Sequence, residues 1–377
     1  MFKKTLFALF SCSLFQVMAS PWYNTYDFGP VVSQVVSNKD DPVILRGHAI
    51  EFNQGKNKVT AYYDSGSMNF RYLSAGRISF KGTPWDGAHG GNSIIEGDMY
   101  LSSSPSLAWA YKGSWKDPRK KDFGPLPKNY VHYKGYYLHG DSLVYSYTVG
   151  DKASSIFEMP ELNNEGIFTR HFSIAESKEE LLLKVLDNKD LKLGENYFIK
   201  ASEFKIENNA QGLHFIRIPA GSKDLHFSIA YSAKPLNEIK TRGDLKSYTQ
   251  GSDARWPEVI TMKGELKGYE SDYFIVDQIP IPEKNPWGSF MRIAGFDYFS
   301  DGNRAAFCTW NGDVWIVSNL NDDLQKVEWK RFAAGMNETL GLCIVNDEIF
   351  VNGKDQITRL HDHNKDGEAD FYENFNN

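Results

Sequence analysis

The chain has 377 residues, of which 41% are hydrophobic and 24% are charged, and its formal net charge is -6. An acidic balance of this size argues against nucleic acid or an anionic membrane surface as a partner. The length exceeds what a single hydrophobic core usually supports, so two domains are expected.

The first 19 residues predict a secretory signal. Lys3 and Lys4 precede an apolar stretch from Leu6 to Phe15, and Val17-Met18-Ala19 suits signal peptidase. Cleavage after Ala19 would remove two lysines and no acid, so the net charge would become 40 minus 48, or -8. The expected location is the periplasm or the extracellular space, and lipidation at Cys12 is the weaker alternative. No later apolar run reaches the roughly 18 residues of a membrane span.

Residues from about Ile44 to Tyr231 predict an all-β domain, because short runs rich in Tyr, Phe, Val and Ile alternate with Gly, Asn, Asp and Ser. A hairpin is predicted around Gly140-Asp141-Ser142, which separates two such runs. Further strands are predicted at Phe168–Ile174, Leu181–Leu186, Leu213–Ile218 and Leu225–Tyr231. Alternation of apolar and polar residues within them favours a β-sandwich-like domain with one buried and one solvated face.

The polar stretch from Pro235 to Trp256 marks the predicted domain boundary, with a β-rich domain over 20–250 and a second domain over 251–377. A helix or long loop inside one larger domain is the alternative. Tight turns at Asp301-Gly302 and Asn311-Gly312 open a series of short strands. These strands are predicted at Phe290–Phe299, Arg304–Trp310, Val314–Ser318, Val327–Ala333, Leu340–Val345, Glu348–Val351 and Gln356–Leu360. They amount to about two blades of an incomplete β-propeller, whereas a closed propeller has about four to eight.

Several motifs together resemble one family. In the N-terminal part they are Leu45-Arg46-Gly47-His48, Asp86-Gly87-Ala88-His89-Gly90, residues 113–119 and 124–127, and Leu138-His139-Gly140-Asp141. In the C-terminal part they are residues 256–261, 285–289, 295–299, 308–315 and 356–371. The chain from about Asp27 to Asn377 is similar to large multidomain secreted bacterial proteins named as membrane-bound dehydrogenases or large multifunctional secreted proteins. In that family an uncharacterised β-rich domain precedes a sorbosone-dehydrogenase-like propeller, and a haem domain often follows.

The resemblance implies an oxidoreductase whose cofactor sits on the propeller axis, framed by loops from many blades. Two blades cannot frame such a site, and no C-x-x-C-H motif is present. We therefore assign no catalytic residue, no haem and no quinone site, and leave open whether the chain acts as an enzyme. We expect an exported, non-catalytic β-protein or a fragment whose open blades associate with a chain supplying further blades. The alternatives are the N-terminal part of a quinone-dependent sugar dehydrogenase-like oxidoreductase, and a carbohydrate-binding or carbohydrate-processing sandwich.

The strongest local motif is D-x-N-x-D-G-x5-E, four residues from the C-terminus, which predicts a calcium site. The predicted ligands are Asp362, Asn364, Asp366, Glu368 through its backbone carbonyl, Asp370 and Glu373. The loop follows a strand rather than a helix, so Asp370 could replace Glu373, and a dissociation constant of about 0.1 to 1 mM is expected. A solvated acidic turn is the alternative.

Weaker candidates are scattered along the chain. Asp86 and His89 share a Gly-rich loop and could bind a metal or act as an acid/base pair, although a tight turn capped by Asp86 is favoured. The histidines His132, His139 and His171 show no metal-binding spacing, and no G-x-S-x-G elbow is present.

Aromatic residues and cysteines leave further alternatives. The aromatics Trp109, Tyr111, Trp115, Tyr133, Tyr136 and Tyr137 could form a sugar-stacking platform, but a sandwich core is favoured. Cys308 and Cys343 could pair in an exported protein, although two buried free thiols are favoured.

Overall fold

The structure is a computed structural model that describes residues 21–39, 41–120, 124–187, 197–267, 273–274, 276–321 and 323–377. The predicted signal sequence, with Cys12, lies outside the described residues. The described residues contain no α-helix and only three short 3-10 helices, at Trp22–Asn24, Pro84–Asp86 and Leu245–Thr249. None of these helices has the length and apolar character needed to cross a membrane. The all-β fold predicted from the sequence is confirmed.

The first six strands form one sheet in the order β5-β1-β2-β3-β4-β6. They are β1 (Val31–Ser37), β2 (Ile44–Gln54), β3 (Asn57–Asp64), β4 (Asn69–Ala75), β5 (Ser93–Ile94) and β6 (Met99–Ser102). Side chains alternate between the two faces. One face, with Ile50 and Tyr63, joins the main core, and the other, with Ala49 and Tyr62, packs on Tyr26 and other N-terminal aromatics.

The next nine strands supply the opposing layer of the sandwich. They are β7 (Val131–His139), β8 (Ser142–Val149), β9 (Ser154–Leu162), β10 (Phe168–Glu176), β11 (Leu181–Leu186), β12 (Phe198–Ala201), β13 (Ile206–Asn208), β14 (His214–Ile218) and β15 (Lys223–Ser232). Strands β7 to β10 pair consecutively, β15 and β12 extend that sheet, and β11, β14 and β13 form a separate small sheet. The hairpin predicted around Gly140 is confirmed as the β7–β8 pair, and the four further strands predicted in this region lie where the pattern placed them.

The C-terminal part contains two four-stranded antiparallel meanders. Its strands are β16 (Val259–Met262), β17 (Glu265–Leu266), β18 (Asp277–Gln278), β19 (Ile293–Tyr298), β20 (Ala305–Thr309), β21 (Val314–Ser318), β22 (Val327–Ala333), β23 (Gly341–Val345), β24 (Glu348–Asn352), β25 (Ile357–His361) and β26 (Phe371–Asn376). We call β19–β22 blade 1 and β23–β26 blade 2. Strand β16 pairs with the outer strand of blade 1. This arrangement is the partial propeller that the turn spacing predicted.

The inner strands of the two blades lie side by side. The Asp297 carboxylate of β19 accepts a hydrogen bond from the Ile344 backbone amide of β23 at 2.8 Å. A Cβ atom on Gly295 would lie 3.0 Å from the Leu342 nitrogen, so a side chain there would crowd the contact. The blades therefore meet through closely approaching backbones, as neighbouring propeller blades do.

The last strand of blade 2 joins the N-terminal half of the molecule. Strand β26 pairs with β7, with Phe371 opposite Tyr137 and Tyr372 opposite Tyr136, and both pairs of rings stack. The result is a ten-stranded sheet in the order β12-β15-β10-β9-β8-β7-β26-β25-β24-β23. This sheet crosses residue 250, where the sequence places a domain boundary, so the outer edge of blade 2 is covered by β7.

The N-terminal segment around Tyr26 is also bound to blade 1 by a buried polar cluster. Tyr26 donates a hydrogen bond to the Asp313 carboxylate, which Arg331 contacts at 2.8 Å, and all three side chains are buried. Because an unpaired buried charge is costly, this cluster fixes residues near the start of the described chain to a strand about 300 residues away.

Candidate functional site

The predicted calcium motif forms the hairpin loop between β25 and β26, and we call residues 362–370 the acidic loop. Asp362 accepts hydrogen bonds from the backbone amides of Lys365 at 2.6 Å and Gly367 at 3.0 Å. Asn364 accepts from the Asp366 amide, and Asp366 accepts from the Glu368 amide. The polar side chains thus fold the loop around themselves, as Asp and Asn do in tight turns.

Asp370 closes this cluster from the other end of the loop. Its carboxylate accepts from the backbone amides of His363 at 2.7 Å and Asn364 at 3.3 Å. Burial raises the pKa of the Asp370 carboxyl above its ordinary value, and the nearby charges of Asp366 and Asp362 raise it further. The structure therefore brings together Asp362, Asn364, Asp366 and Asp370.

The side chains of Glu368 and Glu373 point to other partners. Glu368 accepts from the backbone amides of Arg255 at 2.8 Å and Trp256 at 2.5 Å. Glu373 contacts His361 at 2.7 Å, across the β25–β26 pair. Only the backbone carbonyl of Glu368 remains a candidate ligand, which is the role the motif gives to that position.

The acidic loop lies against two other parts of the chain. The side-chain amide of Asn364 donates to the Ser252 backbone carbonyl at 2.6 Å. The backbone carbonyl of Asp370 accepts from the backbone amide of Leu138, near the end of β7. A Cβ atom on Gly251 would lie 2.4 Å from an Asp370 carboxylate oxygen. The loop is therefore a three-way contact between blade 2, the segment 251–256 and β7.

Oxygen donors dominate the acidic loop, which suits a hard cation such as calcium. Within the described residues, no group of three or more His, Cys, Asp and Glu side chains is arranged to hold a metal ion by itself. Asn364 and the Glu368 carbonyl would have to complete the set supplied by Asp362, Asp366 and Asp370. Calcium sites commonly include such amide and carbonyl ligands.

The Gly-rich loop around Asp86 has a structural arrangement. Asp86 accepts from the Tyr23 hydroxyl at 2.6 Å and the Gly82 amide at 2.9 Å, whereas His89 is exposed. Accepting these hydrogen bonds lowers the pKa of Asp86, with Tyr23 as the main cause. The carboxylate is thus engaged in closing a turn, in the capping role favoured from the sequence.

Most of the aromatics considered as a sugar platform lie inside the protein. Trp109, Tyr133 and Tyr136 belong to the main core, whereas Tyr111 stacks on Tyr130 near the surface. No single face presents the six rings together. The expectation that both cysteines are buried is wrong for one of them, because Cys308 is buried and Cys343 is exposed, and both are free.

A Ser-His-Glu chain that sequence reasoning missed lies on the sandwich. His171 contacts the Ser228 hydroxyl at 2.7 Å and the Glu161 carboxylate at 3.0 Å, and Arg242 binds Glu161 with two hydrogen bonds. Ser228 is fully buried, so a substrate cannot reach its hydroxyl. The chain of contacts holds the segment carrying Arg242 against the sheet. No local motif predicts this set of contacts, because Glu161 and Ser228 are far apart in sequence.

A second missed cluster surrounds Lys184. Its ammonium contacts Ser106 at 2.8 Å and Asp187 at 3.2 Å, beside an open cavity of about 520 Å³. Burial lowers the pKa of Lys184 to about 8. The Ser106 hydroxyl donates to Asp187 at 2.8 Å, so the carboxylate binds both groups. This ion pair fastens the serine-rich loop to β11 and does not leave Lys184 free to act as a base.

Residues 54–155 match a family described as a domain of unknown function (DUF6797). The matched segment runs from the end of β2 to the beginning of β9, and so contributes strands to both layers of the sandwich. No curated protein matches the chain at a significant level.

Proposed function

We propose that this chain is an exported, non-catalytic β-protein in which the acidic loop binds a structural calcium ion. The observation that carries the proposal is the position of the loop. Asp362, Asn364, Asp366 and Asp370 gather where blade 2 meets the segment 251–256 and β7. A cation bound there would stabilise the contact between the partial propeller and the sandwich.

Electrostatics supports a cation at this position. Like charges at short range destabilise the folded loop, and the raised pKa of Asp370 reflects burial together with such neighbours. Calcium would neutralise these charges while leaving the backbone hydrogen bonds of the loop in place. The ligands we assign are the side chains of Asp362, Asn364, Asp366 and Asp370 and the backbone carbonyl of Glu368.

The test is thermal unfolding at increasing calcium. With a dissociation constant of about 0.1 to 1 mM, 10 mM calcium would add about 1.4 to 2.7 kcal/mol of stability, a shift of several degrees or less in midpoint. Asp366→Ala should abolish the shift. Asp301→Ala is the matched control, because Asp301 also caps a turn between blade strands but lies in blade 1. A calcium shift that survives Asp366→Ala, or none in the parent protein, would refute the site.

Export is tested separately by the N-terminal sequence of the mature protein. Expression in a bacterium with a Sec pathway should yield a periplasmic or secreted product that begins at Ser20. An intact Met1 on a cytoplasmic product would contradict export without bearing on the calcium site.

A second candidate role is docking of a chain that supplies further propeller blades. On the face of blade 2 that points away from blade 1, Val345 and Phe375 are each at least half exposed and Cys343 is exposed. The face of blade 1 that points away from blade 2 is covered by Trp256 and Trp287 of the same chain. Exposed apolar side chains of this kind mark association surfaces.

The docking role predicts that Cys343 becomes protected when a chain of propeller blades binds. A propeller polypeptide encoded beside this gene, added to the purified protein, should slow the reaction of Cys343 with a thiol reagent. Phe375→Asp should prevent that protection. Unchanged Cys343 reactivity in a mixture that shows binding would place the partner elsewhere.

A further inference from the structure

A small polar cavity lies where blade 2 meets the six-stranded sheet and β7, and we call it the junction cavity. It encloses about 10 Å³, roughly the space that one water molecule needs. Its lining includes Ser33, Tyr136, Asn337 and Asp355. The lining thus comes from β1, from β7 and from blade 2 with its adjoining loops.

Asn337 is the polar group that this lining leaves unpaired. Asn337 is 1% exposed, and neither its side-chain nitrogen Nδ2 nor its side-chain oxygen Oδ1 has a hydrogen-bond partner among the described residues. The backbone around it is fixed. The backbone carbonyl of Asn337 accepts from the Lys354 backbone amide at 2.8 Å, and the backbone carbonyl of Gly335 accepts from the Ser33 backbone amide at 2.7 Å. Asn337 therefore cannot easily turn to solvent.

Further unpaired polar atoms lie directly behind the cavity. Ser33 pairs in register with His48, whose ring lies 5.5 Å from Tyr136 and 5.7 Å from Tyr133. His48 Nε2 and the Tyr133 hydroxyl are buried without a partner among the described residues. Each buried unpaired polar group costs about 1–3 kcal/mol, so several in one place call for a bound species.

We propose that the junction cavity is a binding site for a water molecule that joins Asn337 of the blade 2 side to the sandwich. Asn337 presents both an unpaired donor and an unpaired acceptor, and water can satisfy both at once. A halide would accept from the amide nitrogen only and would be repelled by the Asp355 carboxylate. The cavity volume excludes a sugar or another multi-atom ligand.

The charged groups around the cavity are compatible with a neutral occupant. Asp355 lines the cavity and is attracted by Arg46, while Tyr133 and Tyr136 lie close enough to feel its charge. Burial raises the pKa of Asp355 and the attraction of Arg46 lowers it, with burial the larger effect, so the carboxylate is only partly compensated. An anion beside it would add a second unfavourable negative charge, whereas a neutral molecule would not.

A crystal structure of the full chain in bromide-containing buffer tests the occupant directly. We expect one density peak within hydrogen-bond distance of both side-chain atoms of Asn337, without anomalous signal. An empty cavity or an anomalous bromide peak there would overturn the proposal. The calcium site is not involved, so this result does not depend on the proposed function.

Urea unfolding of Asn337→Leu gives a second, independent test through the sign of the change. If water fills the cavity, leucine removes its partners and the urea midpoint falls. If the cavity is dry, leucine removes two unpaired polar atoms and the midpoint rises, which would contradict the proposal. Asn352→Leu, at the exposed end of β24, gives the baseline for an asparagine without this environment. If Asn337→Leu does not fold, the crystal structure alone decides.

Discussion

Replacing Gly135 by alanine tests whether the contact between β26 and β7 holds the two halves of the molecule together. Gly135 lies opposite Glu373 in this pair and has a φ of 132°, a backbone conformation that residues with a side chain rarely adopt. An added Cβ atom would lie 2.2 Å from the Tyr372 carbonyl oxygen and 3.0 Å from the Glu373 Cα. Both atoms belong to the backbone of β26, so the strand itself would have to move.

The expected loss of stability follows from three contributions. Strained backbone costs about 1–3 kcal/mol, overpacking about 1–3 kcal/mol, and each weakened ladder hydrogen bond about 0.5–1.5 kcal/mol. Some of these overlap because movement of β26 relieves the collision while it breaks the ladder. We therefore expect Gly135→Ala to lower the free energy of unfolding by about 3 to 5 kcal/mol.

Urea unfolding followed by tryptophan fluorescence measures this change, and limited trypsin digestion reports whether the segment 235–256 becomes accessible. Gly140→Ala is the matched control, because Gly140 also has a positive φ, of 59°, but nothing lies within 4 Å of an added Cβ. The control should lose about 1 to 2 kcal/mol from backbone strain alone. Equal losses in the two variants, or unchanged digestion in Gly135→Ala, would refute the close contact.

Three other outcomes are expected. Glu158→Gln should cost about 3–5 kcal/mol because it leaves the buried Arg170 charge unpaired, and a double-mutant cycle with Arg170→Leu in urea should show that the two losses are not additive. Burial raises the pKa of Asp355 from 3.8 to about 6. As pH rises from about 4 to 6, the unfolded chain loses this proton before the folded protein does, so the free energy of unfolding falls. Asp355→Asn removes this penalty and should raise the free energy of unfolding by up to about 3 kcal/mol at pH 7, with no change below about pH 4. Thermal melts over this pH range measure the difference. A thiol reagent should modify Cys343 in the folded protein and Cys308 only after unfolding, since Cys308 is buried and burial raises its pKa to about 11.

Local sequence patterns predicted many of the strands and turns. The β7–β8 hairpin was predictable because Gly140-Asp141 lies between two aromatic-rich runs, and residue preferences at a two-residue turn act over a few positions. The blade strands were predictable for the same reason, through Asp301-Gly302 and Asn311-Gly312. Most of the geometry of the acidic loop is also local, because Asp362, Asn364 and Asp366 accept from backbone amides two to five residues later.

The β class, most strand positions, the meanders and the turn chemistry around Asp362 depend on neighbours in the chain, so they could be predicted from the amino-acid sequence. By contrast, long-range packing pairs β26 with β7, turns Glu368 towards Trp256, exposes Cys343 and buries the Asn337 side chain without a partner among the described residues. Any free strand edge can accept any other with a suitable pattern. Which edges meet depends on how the whole chain packs, and a local pattern does not record it.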